Sequence, residues 1–304
     1  MEFGINLPHF AAFPSKAAIL GVAKKAEELG YDSIWVTDHI GVPEPHIARF
    51  GAVFYEPLAV LAYVAAHTSK IRLGTSVLIL PYRNPLFVAK AIATIDQLSD
   101  GRVIFGAGTG WCPEEFEALA VPFKERGRRA SEYLRIMKTL WTSDRPIFEG
   151  KYHRFSKISF LPRPKQEPHP PIWVGGKSEA GMRRAAEVGD GWHPNFSTPD
   201  ELAVSIPQFL KLAREYGRDL SKLTICLRGH VQIHDRKEEW AEKYPMTGSV
   251  EYIVKNLKRN QEVGVNYMNL DLFYGLPELA RETLDSVIRT MARFKSDIAS
   301  QVAG

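Results

Sequence analysis

Short apolar runs alternate with longer amphipathic segments along almost the whole chain, and no other feature restricts its possible folds as much. Phe3 to Leu7 reads as a strand. Ser15 to Leu29 follows as a helix, with Ala18, Ile19, Val22, Ala23, Ala26 and Leu29 at helical spacing. Ser15 suits its N-cap and Gly30 its stop. Ser33 to Val36 and Pro57 to Ala66 make the second strand and helix, Ile71 to Leu80 and Leu86 to Leu98 the third pair. Arg102 to Phe105 breaks into Gly106-Ala107-Gly108-Thr109-Gly110, and Ala130 to Trp141 is helical. The pattern resumes with Ile172 to Val174 and Ser178 to Val188, then a short strand over Gly191 to His193 and a helix from Pro199 to Tyr216. Leu223 to Ile233 with Val250 to Val263, and Tyr267 to Phe273 with Pro277 to Phe294, complete the series. About eight β-then-α units is the count of a (β/α)8 TIM barrel. The competing doubly wound sheet would normally place a glycine-rich turn after its first strand, where this chain has Pro8-His9-Phe10.

Residues 111–171 interrupt the alternation. They hold Asp144-Arg145-Pro146, a β-like Tyr152 to Phe155, and Pro162, Pro164, Pro168, Pro170 and Pro171. Prolines do not sit inside paired strands, so the segment is expected as an insertion on the barrel surface between the fourth and fifth strands. No boundary for a second domain is legible, and 1–304 reads as one domain.

Composition narrows the function classes. Two cysteines, Cys112 and Cys226, are too few for a disulfide framework or a cysteine-based zinc site. No run of apolar residues is long enough to span a membrane. The opening MEFGINLPHF lacks the basic stretch and apolar core of a signal peptide, so a cytoplasmic setting is expected. The formal charge of +4 is spread out, and its densest cluster, Lys124 to Arg129, is interrupted by Glu125. Nucleic acid is not expected as a partner. A phosphorylated small molecule suits the charge better.

In a barrel, chemistry sits at the C-terminal ends of the strands. That rule selects His9, Thr37-Asp38-His39, Ser76-Val77-Leu78, Tyr82-Arg83-Asn84, Thr109-Gly110-Trp111, Gly175-Gly176-Lys177-Ser178, His193, Asn195, Arg228 and His230. His39 is the best acid/base candidate, because imidazole holds either protonation state near neutral pH. The Gly175-Gly176 turn before a helix suits phosphate, although plain helix capping by Ser178 explains it equally well. Arg228 and His230, two residues apart, share one face of their strand. Facing the interior they would meet an anion, and facing outward they would be structural. Phe10, Phe54, Tyr55, Trp111 and Trp192 are either pocket aromatics or core. No HExxH, cysteine-rich metal pattern, GxSxG elbow or Walker loop is present, so no bound metal is expected.

The segments Phe3 to Pro8, Ser33 to His39, Ile71 to Val77, Asn84-Pro85, Leu98 to Arg102, Gly106 to Trp111, Pro171 to Gly176 and Gly189 to Trp192 occur in the order found in the bacterial luciferase-like superfamily of flavin-dependent barrels. The chain resembles that superfamily over nearly its whole length, and Trp111 to Glu117 through Arg126-Gly127 is similar to the branch using coenzyme F420. The resemblance implies a non-prolyl cis peptide at Ser76-Val77 and Asp38 at the polar edge of the flavin. It places His39 at the substrate as the catalytic group. Ser76, Val77, Leu78, Thr109, Gly110, Gly175, Gly176, Ser178 and Glu179 would hold the cofactor. His9, Phe10, Trp111, His193, Arg228 and His230 would face the substrate. Trp111 stands where the sugar-phosphate dehydrogenases of that branch carry a glutamate, so an apolar or aromatic small molecule is the expected substrate. The Arg228-x-His230 pair is similar to reduced-FMN monooxygenases, which keeps FMN, oxygen and a separate flavin reductase as the alternative. A non-catalytic flavin-binding barrel is the second alternative. The resemblance also implies a homodimer.

Overall fold

The structure, a computed structural model, describes residues 1–11, 13–234, 244–275 and 281–302. Eight parallel strands close into a barrel, as the alternation predicts. They are β1 (Glu2–Asn6), β2 (Ser33–Val36), β3 with β4 (Arg72–Thr75 and Leu78–Ile79), β5 (Val103–Gly108), β8 (Ile172–Gly175), β9 (Gly191–His193), β10 (Thr224–His230) and β13 (Tyr267–Asp271). Each pairs with its neighbours in that order, and β13 closes on β1 through Phe3 opposite Met268. The third strand is split. Leu73 and Gly74 pair with Val103 and Ile104, and Leu78 and Ile79 pair with Ala107 and Gly108. Between the two halves the Ser76–Val77 peptide is cis, as the resemblance implies.

Helices α1 (Lys16–Glu28), α3 (Pro57–Ala65), α4 (Pro85–Leu98), α6 (Arg126–Thr142), α7 (Glu179–Val188), α8 (Pro199–Glu215), α9 (Val250–Glu262) and α10 (Leu284–Arg293) surround the barrel. Their starts follow the capping chemistry of the sequence. Ser15 accepts from the Ala18 N–H, Asn84 from Leu86, and Thr198 forms a capping box with Glu201. Among the described residues, no helix is long and apolar enough to cross a membrane.

Four differences from the sequence reading have physical causes. The last helix starts after Thr283, whose side chain caps Ser286; residues 276–280 of the predicted span lie outside the described residues. The strand predicted from Leu223 to Ile233 leaves the barrel at Val231, because its partner β13 ends at Asp271; Gln232–Ile233 (β11) pairs instead with Thr247–Gly248 (β12). Two short helices that begin at or beside a proline, α2 (Glu44–Phe50) and α5 (Pro113–Ala118), add to the elements the alternation predicts. Finally, the helix predicted from Ala130 to Trp141 within residues 111–171 starts a turn earlier, at Arg126. Within them α6 packs against α4 and α7 as the helix of the fourth unit, while a hairpin of β6 (Phe148–Glu149) and β7 (Arg154–Phe155) returns the chain.

The barrel interior is packed by alternating large and absent side chains. Trp35 from β2 fills one layer with Trp173, Tyr267, Ile104 and Cys226, and a Cβ on Gly4 or Gly74 would collide with its indole. Trp35 Nε1 and Tyr267 Oη both donate to Ser33 Oγ, at 2.5 and 2.6 Å. This dry layer supports a cavity above it.

Candidate active site

The cavity lies at the C-terminal ends of the strands and has a volume of about 400 Å³. Its base is built on the split third strand. Val77 projects toward Gly108 and Gly175, where an added Cβ would run into its methyl groups. Gly106 has no room for a Cβ against the Thr75 carbonyl, so small residues on β5 are what let the chain pass here. Ser76 Oγ lies 2.8 Å from His193 Nε2, and His193 Nδ1 lies 2.7 Å from the Cys226 carbonyl. The carbonyl accepts only, so Nδ1 carries the proton and Ser76 donates to Nε2. Burial, aided by the Arg228 charge, pushes His193 down to about 4, and it is neutral at physiological pH.

His39 stands on one wall. Its Nδ1 donates to Glu115 Oε2 at 2.6 Å, and both side chains are buried. Glu115 also accepts from the N–H groups of Ile40 (2.7 Å) and Gly41 (3.3 Å) and from the Tyr82 hydroxyl (3.1 Å). Burial alone would raise this carboxyl. The hydrogen bond and charge of His39 and the two backbone donors outweigh it and hold Glu115 below its ordinary value. Four donors thus fix a carboxylate, which fixes the ring and leaves Nε2 available to a ligand. The phenyl and indole edges of Phe50, Phe54 and Trp111, with ring centroids 5.0, 5.3 and 5.7 Å away, surround the imidazole.

Asp38 is also buried. Its carboxylate receives a two-pronged grip from Arg83, at 2.6 and 2.9 Å, and the Ile79 N–H at 2.8 Å. Burial raises its carboxyl against the pull of Arg83, and the same pairing raises the guanidinium. The residue borders the cavity, but the hydrogen bonds of its oxygens run to the protein.

Arg228 points inward, which resolves the alternative left open by spacing. Its Nε and Nη2 donate to Asp271 on β13 at 2.8 and 3.2 Å, Nη1 donates to the Ser76 carbonyl at 2.5 Å, and Nη2 also meets the Tyr274 hydroxyl. The charge is therefore neutralised by a buried partner. His230 leaves the cavity wall. It stacks on Phe196 at 4.3 Å, and burial, with the charges of Arg228 and Arg49, pushes it down to about 3.

Phe10, Thr109, Gly110, Trp111, Gly175 and Gly176 border the cavity with the residues above. Phe10 stacks on Phe54 at 4.7 Å, and Trp111, 47% exposed, stands at the mouth. His9, Leu78 and Trp192, like His230, do not border the cavity. His9 Nδ1 bonds the Leu7 carbonyl and Nε2 accepts from the Thr37 N–H, so both ring nitrogens are spent on backbone. Leu78 is packed in the core, and Trp192 donates to the Gly176 carbonyl while packing on Phe209. Ser178 and Glu179 are exposed at the start of α7 and do not line the cavity. Ser178 Oγ caps the Gly181 N–H, and Glu179 pairs with Arg183, which leaves the Glu179 and Ala180 N–H groups at the start of α7 without helical partners. His46, Cys112 and Glu114 form the one histidine–cysteine–acid group among the described residues, with ligand atoms within 4.8 Å. The Cys112 thiol donates to Glu114, and burial pushes it up to about 11.

Sequence reasoning missed Glu115, Asp271 and Tyr274 as site residues, and it placed Arg83 at a strand end without its partner Asp38. Each is distant in sequence from its partner, and only the fold joins them.

The model of the luciferase-like monooxygenase family matches residues 1–285. An uncharacterized Mycobacterium tuberculosis protein is 35% identical over 65% of this chain and 72% of its own. An F420-dependent glucose-6-phosphate dehydrogenase of Kineococcus radiotolerans is 38% identical over 59% of this chain and 52% of its own. An FMNH2-dependent dimethylsulfone monooxygenase of Pseudomonas putida is 31% identical over 61% and 51%. Among solved structures, monooxygenase RslO1 from Streptomyces bottropensis superposes with a TM-score of 0.84 at 22% identity over all of both chains. An F420-dependent secondary alcohol dehydrogenase does so with 0.83 at 23% identity, over 100% of this chain and 99% of its own. Of these, two are named for F420 and one for FMNH2. Matched over most of its length, the chain belongs to the luciferase-like monooxygenase family of flavin-dependent oxidoreductases.

Proposed function

We propose that this protein transfers a hydride between coenzyme F420 and a small organic substrate with an apolar or aromatic body, with His39 as acid/base. The observation carrying this reading is the His39–Glu115 pair at a cavity walled by aromatic rings. The cavity volume, the Gly108, Gly110, Gly175 and Gly176 lining, and the two unpartnered N–H groups of α7 fit a flat, phosphorylated cofactor. Thr109 and Gly110 would border its ribityl chain, Gly175, Gly176, Ser178 and the backbone of Glu179 its phosphate, and Ser76 and Val77 its central ring. When bound, the deazaflavin supplies or accepts the hydride.

The chain's own groups handle the proton. With Nδ1–H committed to Glu115, His39 Nε2 takes the hydroxyl proton of an alcohol undergoing oxidation. In the reverse direction the imidazolium returns it to the carbonyl oxygen. Glu115 stabilises the charged ring and holds its orientation. Arg228, already matched by Asp271, keeps the cavity floor near neutral and braces the Ser76 carbonyl. Aromatic walls exclude water from the reacting atoms.

The 38% identity to an F420-dependent relative supports this cofactor, while the 31% match to an FMNH2-dependent one keeps oxygen chemistry as the alternative. The two separate cleanly. Reduced F420 supplied without oxygen to the purified protein, with a panel of aromatic ketones, aldehydes and enones, is expected to be oxidised in step with substrate reduction. Product formed only with reduced FMN and oxygen would replace this reading with the monooxygenase.

A further inference from the structure

Each guanidinium at or behind the cavity wall is met by a carboxylate, with one exception. Asp38 and Glu56 meet Arg83, Glu115 meets His39, and Asp271 meets Arg228. Arg49, on α2, lines the same cavity, yet among the described residues it makes no hydrogen bond or ion pair. Its guanidinium lies 5.0 Å from the Phe50 ring and is otherwise exposed. Its charge reaches into the site, since it acts on His230, Asp271 and Tyr274. Phe10, Phe50, Trp111 and Tyr274 line the same cavity. An aromatic chamber with a single unmatched guanidinium at its mouth is complementary to a molecule with an apolar body and one anionic end.

We propose that Arg49 binds the carboxylate of the substrate, so that the protein acts on aryl or other apolar carboxylic acids carrying the reacting carbonyl or alcohol. This rests on the reading of the cavity as a substrate site. The position argues for substrate rather than for the cofactor's own anion. The Ala11 N–H donates to the Phe50 carbonyl at 2.9 Å, which ties the end of α2 to the loop after β1. In the barrel order β1 lies diametrically across from β8, which ends in the Gly175-Gly176 turn. A phosphate at that turn and a carboxylate at Arg49 would occupy opposite sides of one cavity. His39, from the strand next to β1, would face the substrate carbon chain between them.

Calorimetric titration of the full chain with benzoate, cinnamate and 3-phenylpropionate, each beside its primary amide, tests the proposal. At least one acid is expected to bind about tenfold or more tightly than its amide, and added salt should reduce the difference because the guanidinium is exposed. Arg49→Gln should bring acid and amide within about twofold and leave the amide unchanged, a substitution at an exposed site that the fold tolerates. Failure of every acid to bind, equal binding of acid and amide, or a preference that survives Arg49→Gln would overturn it. So would a loss of about tenfold in F420 or FMN affinity in that variant, which would assign the guanidinium to the cofactor's anion instead. If neither cofactor binds the native protein, the proposed function fails while the acid–amide comparison still reads Arg49 independently.

Discussion

Replacing His39 by alanine is expected to lower turnover by about 10²- to 10⁴-fold while leaving cofactor affinity within a few-fold of native. The split follows from the geometry. The imidazole is held by Glu115 and surrounded by aromatic edges, and it borders the cavity with Nε2 uncommitted. In the proposed reading it serves the proton transferred to or from the substrate, whereas the glycine turns and the start of α7 would serve the cofactor. Measuring kcat on the best substrate of the ketone and aldehyde panel, beside a cofactor titration, separates the two effects. A turnover loss below tenfold would remove His39 from the chemistry. Comparable loss of cofactor affinity would make it a binding residue.

Acidification is expected to destabilise the protein well before its carboxylates titrate. His9 and His193 are fully buried and neutral, each pushed from 6.5 down to about 4, with burial the largest cause in both. A histidine whose folded value lies below its unfolded one favours folding fully above the unfolded value. That contribution is lost as pH falls through the folded value. The window therefore opens near 6.5 and extends to about 4. By its lower end each histidine withdraws about 3 kcal/mol, and His230 acts in the same direction. Two such groups rival the roughly 5–15 kcal/mol that holds a typical domain folded. Asp38 and Asp271, whose values burial raises, work the other way, and Glu115, held low, adds to the loss only at more acidic pH. Melting temperature recorded from pH 7 to 5 should fall continuously from about pH 6.5 downward. A flat profile over that interval would mean that these rings are solvated or charged in the native state.

The barrel was legible because each strand and helix carries its own local signal. Helix α1 shows its apolar stripe between Ser15 and Gly30, and β13 its five buried residues, without reference to anything distant. Helices α2 and α5 have seven and six residues and begin at or beside a proline, too short for a 3.6-residue period to emerge. The strand ends point to one rim of the barrel, and His39, Ser76, Thr109, Gly175 and Arg228 all border the cavity there. What each side chain does there depends on partners that sequence spacing does not encode. His39 and Glu115 are 76 residues apart, and Arg228 and Asp271 are 43 apart. His9 illustrates the same limit. Its position at a strand end is what a substrate ligand requires, yet the backbone groups of Leu7 and Thr37 saturate it, and that depends on where β1 and β2 place their carbonyl and amide. The Arg228-x-His230 spacing indicates one strand face, yet only Arg228 borders the cavity, and its neutralising Asp271 comes only with the β10–β13 register.

Titrating the purified full chain with F420 and, separately, with FMN, while following cofactor fluorescence, tests the reading of the cavity most directly. Saturable micromolar binding of F420, with FMN weaker by about tenfold or more, is the expected result. Micromolar binding of FMN with none for the deazaflavin would contradict it.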